Sequence, residues 1–135
     1  MNETSYREKW VRPRLEKAGF LVDRFEDQNT PGVADLSITA PGFFAWLELK
    51  TWDLNPSRGL QQIPHFTPLQ RRWLTRRGRL GINVGMLVLS RGSHLFFPLP
   101  ALEQWSKPIR HLPHTSLPEE PSPRQWRGAF VRRTV

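Results

Sequence analysis

Two ionisable residues on one predicted strand are the clearest chemical signal in this sequence. The segment Phe43–Thr51 is the strongest predicted strand, and its two-residue period places Glu48 and Lys50 on one face. The same face carries Phe44 and Trp46 earlier in the strand. Burying a carboxylate and an ammonium group is costly unless they pair or bind a metal ion. The alternative interpretation is a strand that simply emerges into solvent at this end.

A second carboxylate, Asp35, lies early in the preceding predicted strand, Val33–Thr39. The short turn Ala40–Gly42 should bring the two strands side by side, so that Asp35 and Glu48 converge. A hard divalent cation such as Mg²⁺ or Mn²⁺ relieves the repulsion between two close carboxylates. Lys50 could then reach an attacking water or a phosphate, an arrangement that suits metal-assisted phosphodiester hydrolysis.

A mixed α/β fold is predicted to position these residues. Helical periodicity covers Ser5–Ala18, although Pro13 should kink or split this helix. A second helix, capped by Thr67, should complete a right-handed crossover between two strands of the sheet. We expect a sheet of four or five strands flanked by helices. The remaining predicted elements are strands over Phe20–Phe25, Ile82–Ser90 and His94–Leu99 and one or two helical turns over Pro100–Trp105.

The 135 residues suit a single domain with one core. We interpret residues 1–106 as that domain and residues 107–135 as a basic, proline-rich tail with little periodicity. The tail is expected to be disordered or to pack in part, through Trp126 and Phe130, without an independent fold.

Composition indicates a polyanionic partner. Lysine and arginine total 20 against 12 acidic residues, which gives a net charge of +8. A basic surface that serves only solubility is the alternative. The absence of cysteine excludes disulfides, thiolate zinc sites and cysteine nucleophiles. With no long apolar run and a polar start, we expect no membrane partner and a cytoplasmic protein of a bacterial or phage-infected host cell.

The second predicted helix is crowded with arginines and contains no acidic residue, so like charges repel along it. A phosphate backbone would offset this repulsion, whereas a merely solvated face is the alternative. Among the tryptophans, Trp46 and Trp73 fit the core, and Trp52 and Trp126 are candidates for stacking on exposed bases. The candidate DNA-binding residues are Arg71, Arg72, Arg76, Arg77 and Arg79.

The region from Tyr6 to Leu99 resembles the PD-(D/E)XK nuclease superfamily, also called restriction-endonuclease-like, and within it the stand-alone VRR-NUC type found in phages. The segments that carry the resemblance are Thr30–Leu36, Trp46–Thr51 and Phe66–Trp73. The order helix, three strands, helix, strand also matches the family core. One departure is Ala34, where the family usually has proline; this is a backbone preference and removes no catalytic group.

The resemblance implies that Asp35, Glu48 and the main-chain carbonyl of Leu49 hold Mg²⁺ or Mn²⁺, while Lys50 assists attack. It also implies a catalytic glutamine at the start of the second helix, which Gln70 matches. Because Thr67 and Gln70 also form a capping-box pattern, a purely structural role for Gln70 remains open.

The resemblance further implies a glutamate from the first helix, and Glu8 lies eleven residues before the helix-terminating Gly19. In a regular α-helix Glu8 shares the inward stripe of Val11 and Leu15. Ser5 and Glu8 also form a capping-box pattern, which is the structural alternative.

The function implied by the resemblance is a metal-dependent DNA endonuclease. Branched, flap or Holliday-junction DNA is the implied substrate, and a homodimer would supply one site per strand. The alternatives are a non-catalytic basic nucleic-acid-binding module and a sequence-specific restriction-type nuclease, which normally needs more chain for base readout.

Overall fold

The structure, a computed structural model, describes residues 1–25, 32–52 and 66–131, with only the backbone described at Arg110. Thr30 and Pro31 of the first family-like segment and residues 132–135 of the predicted tail lie outside the described residues. None of the described helices is long and apolar enough to cross a membrane.

The described elements follow the predicted mixed α/β order and add three elements near the end of the chain. In chain order they are α1 (Glu3–Tyr6), a π-helical turn (Arg7–Val11), α2 (Arg12–Lys17), β1 (Leu21–Arg24), β2 (Leu36–Ala40), β3 (Phe43–Thr51), α3 (Pro68–Arg79), β4 (Asn83–Ser90), β5 (Ser93–Pro98), α4 (Leu99–Glu103), a 3-10 turn (Ile109–His111), β6 (Thr115–Leu117) and α5 (Pro123–Phe130).

The strands form one mixed sheet in the spatial order β1-β2-β3-β4-β5-β6. Among the described strands only β3 and β4 run parallel, and α3 lies in the connection between them, as the predicted crossover requires. All other neighbouring strands are antiparallel. The predicted fold class is confirmed, with six strands in the described part of the chain instead of four or five.

Side chains of β3 alternate between two hydrophobic clusters on opposite faces of the sheet. Ala45, Leu47 and Leu49 face the cluster that contains the first helix and α5. The other face carries Trp46 and packs against the cluster formed with α3 and α4. Because β3 is central and covered on both sides, the ionisable residues near its end are held in the protein interior.

The first helix is divided by a π-helical turn directly before α2, in which Pro13 is the second residue. Proline has no N–H to donate to the previous turn, and a π turn, with its longer hydrogen-bonded loop, accommodates that lost bond. The predicted start was wrong, because Asn2 caps the helix by accepting a hydrogen bond from Ser5 N at 2.8 Å. The π turn also shifts the helical register by about one residue, or about 100°.

The segment after residue 106 contributes regular structure that was not predicted. The strand β6 pairs with β5, and Ser122 and Gln125 form a complete capping box at the start of α5. Trp126 is fully buried and its ring centroid lies 6.1 Å from that of Trp10. The suggestion that Trp126 stacks on bases is therefore wrong, because the first helix and the sheet cover it.

Truncation of Trp126 tests whether this segment belongs to the core. We expect Trp126→Ala to lower the free energy of unfolding by about 3–5 kcal/mol, because it deletes a fully buried aromatic side chain. The measurement is urea denaturation of the full chain. Val131→Ala, at an exposed position just after α5, is the control and should change stability by less than about 0.5 kcal/mol. A loss below about 1 kcal/mol at Trp126 would contradict the packing described here.

Candidate active site

Asp35 and Glu48 face each other across the β2–β3 hairpin. Leu36 pairs with Leu47, so the antiparallel register places Asp35, one residue before β2, opposite Glu48. Residues directly opposite in an antiparallel pair project to the same face of the sheet. The structure therefore brings together the two carboxylates that the sequence predicts to converge.

Glu48 is an acid held out of water, with only 2% of its surface exposed. Burial raises the pKa of its carboxyl well above the ordinary value, since desolvation disfavours the charged form. The negative charge of Asp35 and a hydrogen bond to that carboxylate raise this pKa further, and the positive charge of Lys50 opposes the rise. Among the described residues no group hydrogen-bonds to Oε2 of Glu48.

Lys50 lies on the same face, two residues further along β3, and is 4% exposed. Its Nζ is 3.8 Å from Oε1 of Glu48. A buried pair at this separation recovers only part of the cost of desolvating two charges. The ammonium group of Lys50 and a carboxyl oxygen of Glu48 therefore lie close together in the protein interior.

The backbone at Leu49 completes a set of oxygen atoms. Its N–H donates to Oδ2 of Asp35 at 2.8 Å, which fixes the orientation of that carboxylate. The N–H and C=O of one strand residue point to the same side, so the Leu49 carbonyl points toward Asp35. The regular pairing between β2 and β3 stops at Leu36 and Leu47, so Leu49 lies beyond the last paired residue.

These groups fit a hard divalent cation. The unpartnered Oε2 of Glu48, the carboxylate of Asp35 and the Leu49 carbonyl are oxygen ligands of the kind that Mg²⁺ and Mn²⁺ prefer. No three acidic or histidine side chains form a metal-binding group within residues 1–25, 32–52 and 66–131. Two carboxylates and a carbonyl would therefore leave the remaining positions to water, as is common for Mg²⁺.

Glu8 does not point inward as the regular helical register predicts, and its role in the site stays a prediction. Its side chain is 44% exposed and pairs with Arg7 at 2.9 Å and with Arg12 at 3.7 Å. The hydrogen bond from Arg7 holds the pKa of Glu8 below its usual value. Glu8 lies within the π turn, so the regular helical register used to predict its direction does not hold.

Glu3 is the acidic residue of the first helix whose charge acts on Glu48. It is the first residue of α1, and its negative charge contributes to the raised pKa of Glu48. The sequence carries a signal for this start in Asn2, a favourable N-cap residue. That signal was missed because Ser5 and Glu8 form a capping-box pattern, which offers a competing start for the helix nearer to its apolar stripe.

Gln70 has the predicted capping role. Its Oε1 accepts from Thr67 N at 2.9 Å, while Thr67 Oγ1 accepts from Gln70 N at 3.2 Å. The turn before Asp35 packs directly on this end of α3, because a Cβ added at Gly32 would lie 2.7 Å from the Leu69 carbonyl oxygen. Gly32 also has φ +87°, so only glycine suits this turn.

The arginines of α3 are not equivalent. Arg72 and Arg76 are exposed and Arg71 is half-buried. Arg77 lies over the ring of Trp73, 3.6 Å from the centroid, and burial together with the charge of Arg76 lowers its pKa. Arg79 pairs with Glu103 of α4 at 3.2 Å, so this arginine does not need a phosphate to balance its charge.

The cost of burying Glu48 gives a pH-dependent prediction. Its pKa is raised above the ordinary 4.5, so ionised Glu48 increasingly opposes folding as the pH rises from 4.5 through the raised pKa. In metal-free buffer, the free energy of unfolding of Glu48→Gln minus that of the wild type should therefore increase between about pH 5 and pH 8. The measurement is urea denaturation at several pH values.

Glu8→Gln is the matched control for Glu48→Gln. The pKa of Glu8 is lowered, so its contribution to stability is lost only as the pH falls below the ordinary range of a glutamate. The difference between Glu8→Gln and the wild type should stay constant over the same window. A constant difference for Glu48→Gln as well would contradict the desolvation of Glu48.

Comparison with known proteins identifies the fold. No protein-family model matches the sequence, and no curated protein does. The structure is similar to that of Hjc, a Holliday junction resolvase from the archaeal hyperthermophile Archaeoglobus fulgidus, with a TM-score of 0.58 and 21% sequence identity. The match covers 78% of this chain and 84% of that chain. The chain therefore shares the fold of this resolvase, in agreement with the predicted restriction-endonuclease-like core, while the VRR-NUC type stays a prediction.

Proposed function

We propose that this chain is a metal-dependent nuclease that hydrolyses phosphodiester bonds in DNA. The observation that carries the proposal is the cluster of half-buried Asp35 with buried Glu48 and Lys50, in which one oxygen of Glu48 has no hydrogen-bond partner among the described residues. A carboxylate in this position costs stability, and a bound cation would offset that cost.

Asp35, Glu48 and the Leu49 carbonyl are the proposed ligands of Mg²⁺ or Mn²⁺. When bound, the cation would polarise the scissile phosphate and lower the pKa of a bound water. Lys50 holds its ammonium group 3.8 Å from Glu48, where it can stabilise negative charge that develops on the phosphate. The hydrogen bond from Leu49 N keeps Asp35 oriented, and the covered sheet face excludes bulk water.

We propose branched DNA, in particular flaps or Holliday junctions, as the substrate. The support for this choice is the fold shared with the archaeal resolvase. A homodimer would present one carboxylate pair to each of two strands, since a two-fold axis repeats every site. The exposed Arg72 and Arg76 on α3, with the neighbouring Arg71, are proposed to contact the phosphate backbone. Gln70, at the start of that helix, would face the same DNA.

The first test is a cleavage panel with labelled branched and linear duplex DNA in Mg²⁺, Mn²⁺ or EDTA. Lys50→Ala should lower the cleavage rate by at least about 100-fold, because it removes a preorganised charge at the reacting phosphate. Lys9→Ala, at an exposed lysine of the first helix, should retain the wild-type rate. Circular dichroism checks that both variants fold.

Two outcomes of this panel would contradict the proposal in different ways. Metal-independent DNA binding without product under any condition would indicate a non-catalytic binding module. Equal cleavage of linear and branched DNA would remove the preference for branched DNA but keep the nuclease.

A matched pair of variants tests the role of the first helix. We propose that Glu3, rather than Glu8, assists the metal site, because Glu3 acts on the pKa of Glu48 whereas Glu8 pairs with arginines at the surface. Glu3→Gln should weaken Mn²⁺ binding by about 10-fold, as supporting residues of metal sites do, and Glu8→Gln should leave it unchanged. Isothermal titration calorimetry measures both. The reverse order of effects would restore Glu8 and exclude Glu3.

A further inference from the structure

Four aromatic residues form a connected surface on the sheet face that carries the candidate active site. We call this surface the aromatic step and define it as Phe25, Phe44, Trp46 and Trp73. The Trp46 ring lies at the centre, with its centroid 5.1 Å from Phe25, 5.4 Å from Phe44 and 5.0 Å from Trp73. Each of these contacts is edge-to-face, so the rings hold one another in fixed orientations.

The aromatic step is open to solvent at its rim. Phe25 is 41% exposed and Phe44 is 39% exposed, while Trp46 and Trp73 are half-buried beneath them. Scattered exposed apolar residues are ordinary, but a connected aromatic surface marks an interaction site. Trp46 and Trp73 pack against the core, as the sequence predicts, and also take part in this exposed surface.

Positive charge borders the aromatic step along α3. The guanidinium of Arg77 stacks on Trp73, and its Nη1 donates to the Trp73 carbonyl at 3.1 Å. Arg72 and Arg76 of the same helix are exposed, and α3 contains no acidic residue. Aromatic rings beside phosphate-binding cations are the combination that binds single-stranded nucleic acid.

The aromatic step is also close to the carboxylates. Phe44, Trp46 and Glu48 alternate along one face of β3, so Trp46 is about 7 Å and Phe44 about 14 Å from Glu48 along the strand, at ~3.4 Å per residue. Stacked bases repeat about every 3.4 Å in duplex DNA. A base on the aromatic step therefore belongs to a nucleotide only a few positions from a phosphate at Glu48.

We propose that the aromatic step stacks unpaired bases beside the cleavage point, so that the enzyme acts where a strand leaves the duplex. The inference rests on the proposed nuclease function and narrows its substrates to branched DNA with at least one unpaired base near the scissile phosphate, such as a flap, in preference to a fully paired junction. A paired base is stacked on its neighbours and hidden in the duplex, so only an unpaired base can present its face to Phe44.

The charges favour DNA over a second copy of this chain as the occupant. In a two-fold symmetric contact with its axis at α3, this helix would meet its own copy, and Arg72 and Arg76 would face arginines of equal charge. Like charges brought together in this way oppose association, whereas a phosphate backbone attracts them. The occupant that satisfies both the rings and the cations is a single strand of nucleic acid.

The test measures DNA binding in EDTA, where no cleavage is required. Two probes of equal length carry 2-aminopurine, one at an unpaired position beside a branch and one within a continuous duplex. Phe44→Ala should weaken binding to the unpaired probe by about 10-fold and abolish its change in 2-aminopurine fluorescence, as expected for loss of one stacked base. Binding to the continuous duplex should stay unchanged.

Conservative variants separate stacking from simple apolar contact. Phe44→Tyr keeps a ring and should retain binding, whereas Phe44→Leu keeps apolar surface without a ring and should behave like Phe44→Ala. Equal weakening on both probes, or full binding by Phe44→Leu, would overturn the proposal. A shift from dimer to monomer in sedimentation with unchanged fluorescence would overturn it in favour of a contact between copies. Cleavage of the branched probe by the wild type in Mn²⁺ but not in EDTA tests the nuclease function separately.

Discussion

The burial of two ionisable groups, Glu48 and Lys50, beside the carboxylate of Asp35 on one face of the sheet is the constraint on which the rest of this structure depends. Glu48 and Lys50 lie on a central strand that is covered on both sides, and Asp35 stands opposite Glu48. The partial pairing of Glu48 with Lys50 leaves one carboxylate oxygen without a hydrogen bond in the described part of the chain. Natural proteins retain such costly groups mainly where function needs them, because apolar residues of similar size would be as stable or more so.

The surrounding elements explain how these groups are held. The regular pairing of β2 ends at Leu36, which leaves Leu49 N free to bind the carboxylate of Asp35. The parallel pairing of β3 and β4 requires a crossover, and α3 in that crossover places arginines beside the same sheet face. Gly32 allows the turn before Asp35 to touch the first turn of α3. Strands, a turn and a helix end thus fix the candidate site more rigidly than a surface loop would.

The sequence predicted the parts of the site that follow from a simple period. Alternation along Phe43–Thr51 placed Glu48 and Lys50 on one face, and the short turn placed Asp35 nearby. Prediction failed where the period changes: the π turn moves Glu8 to the surface, although Pro13 signalled a disturbance. It also failed for β6, because three residues are too few to show alternation, and their pairing with β5 depends on contacts distant in sequence.

The central claim is that Asp35, Glu48 and the Leu49 carbonyl hold one divalent cation beside Lys50. The most direct measurement is anomalous diffraction from a crystal of the full chain grown with Mn²⁺. The account predicts a single strong peak within about 2.0–2.3 Å of an oxygen from each of these three residues. A peak elsewhere, or none, with the two carboxylates sharing a proton and bonded to each other, would contradict it.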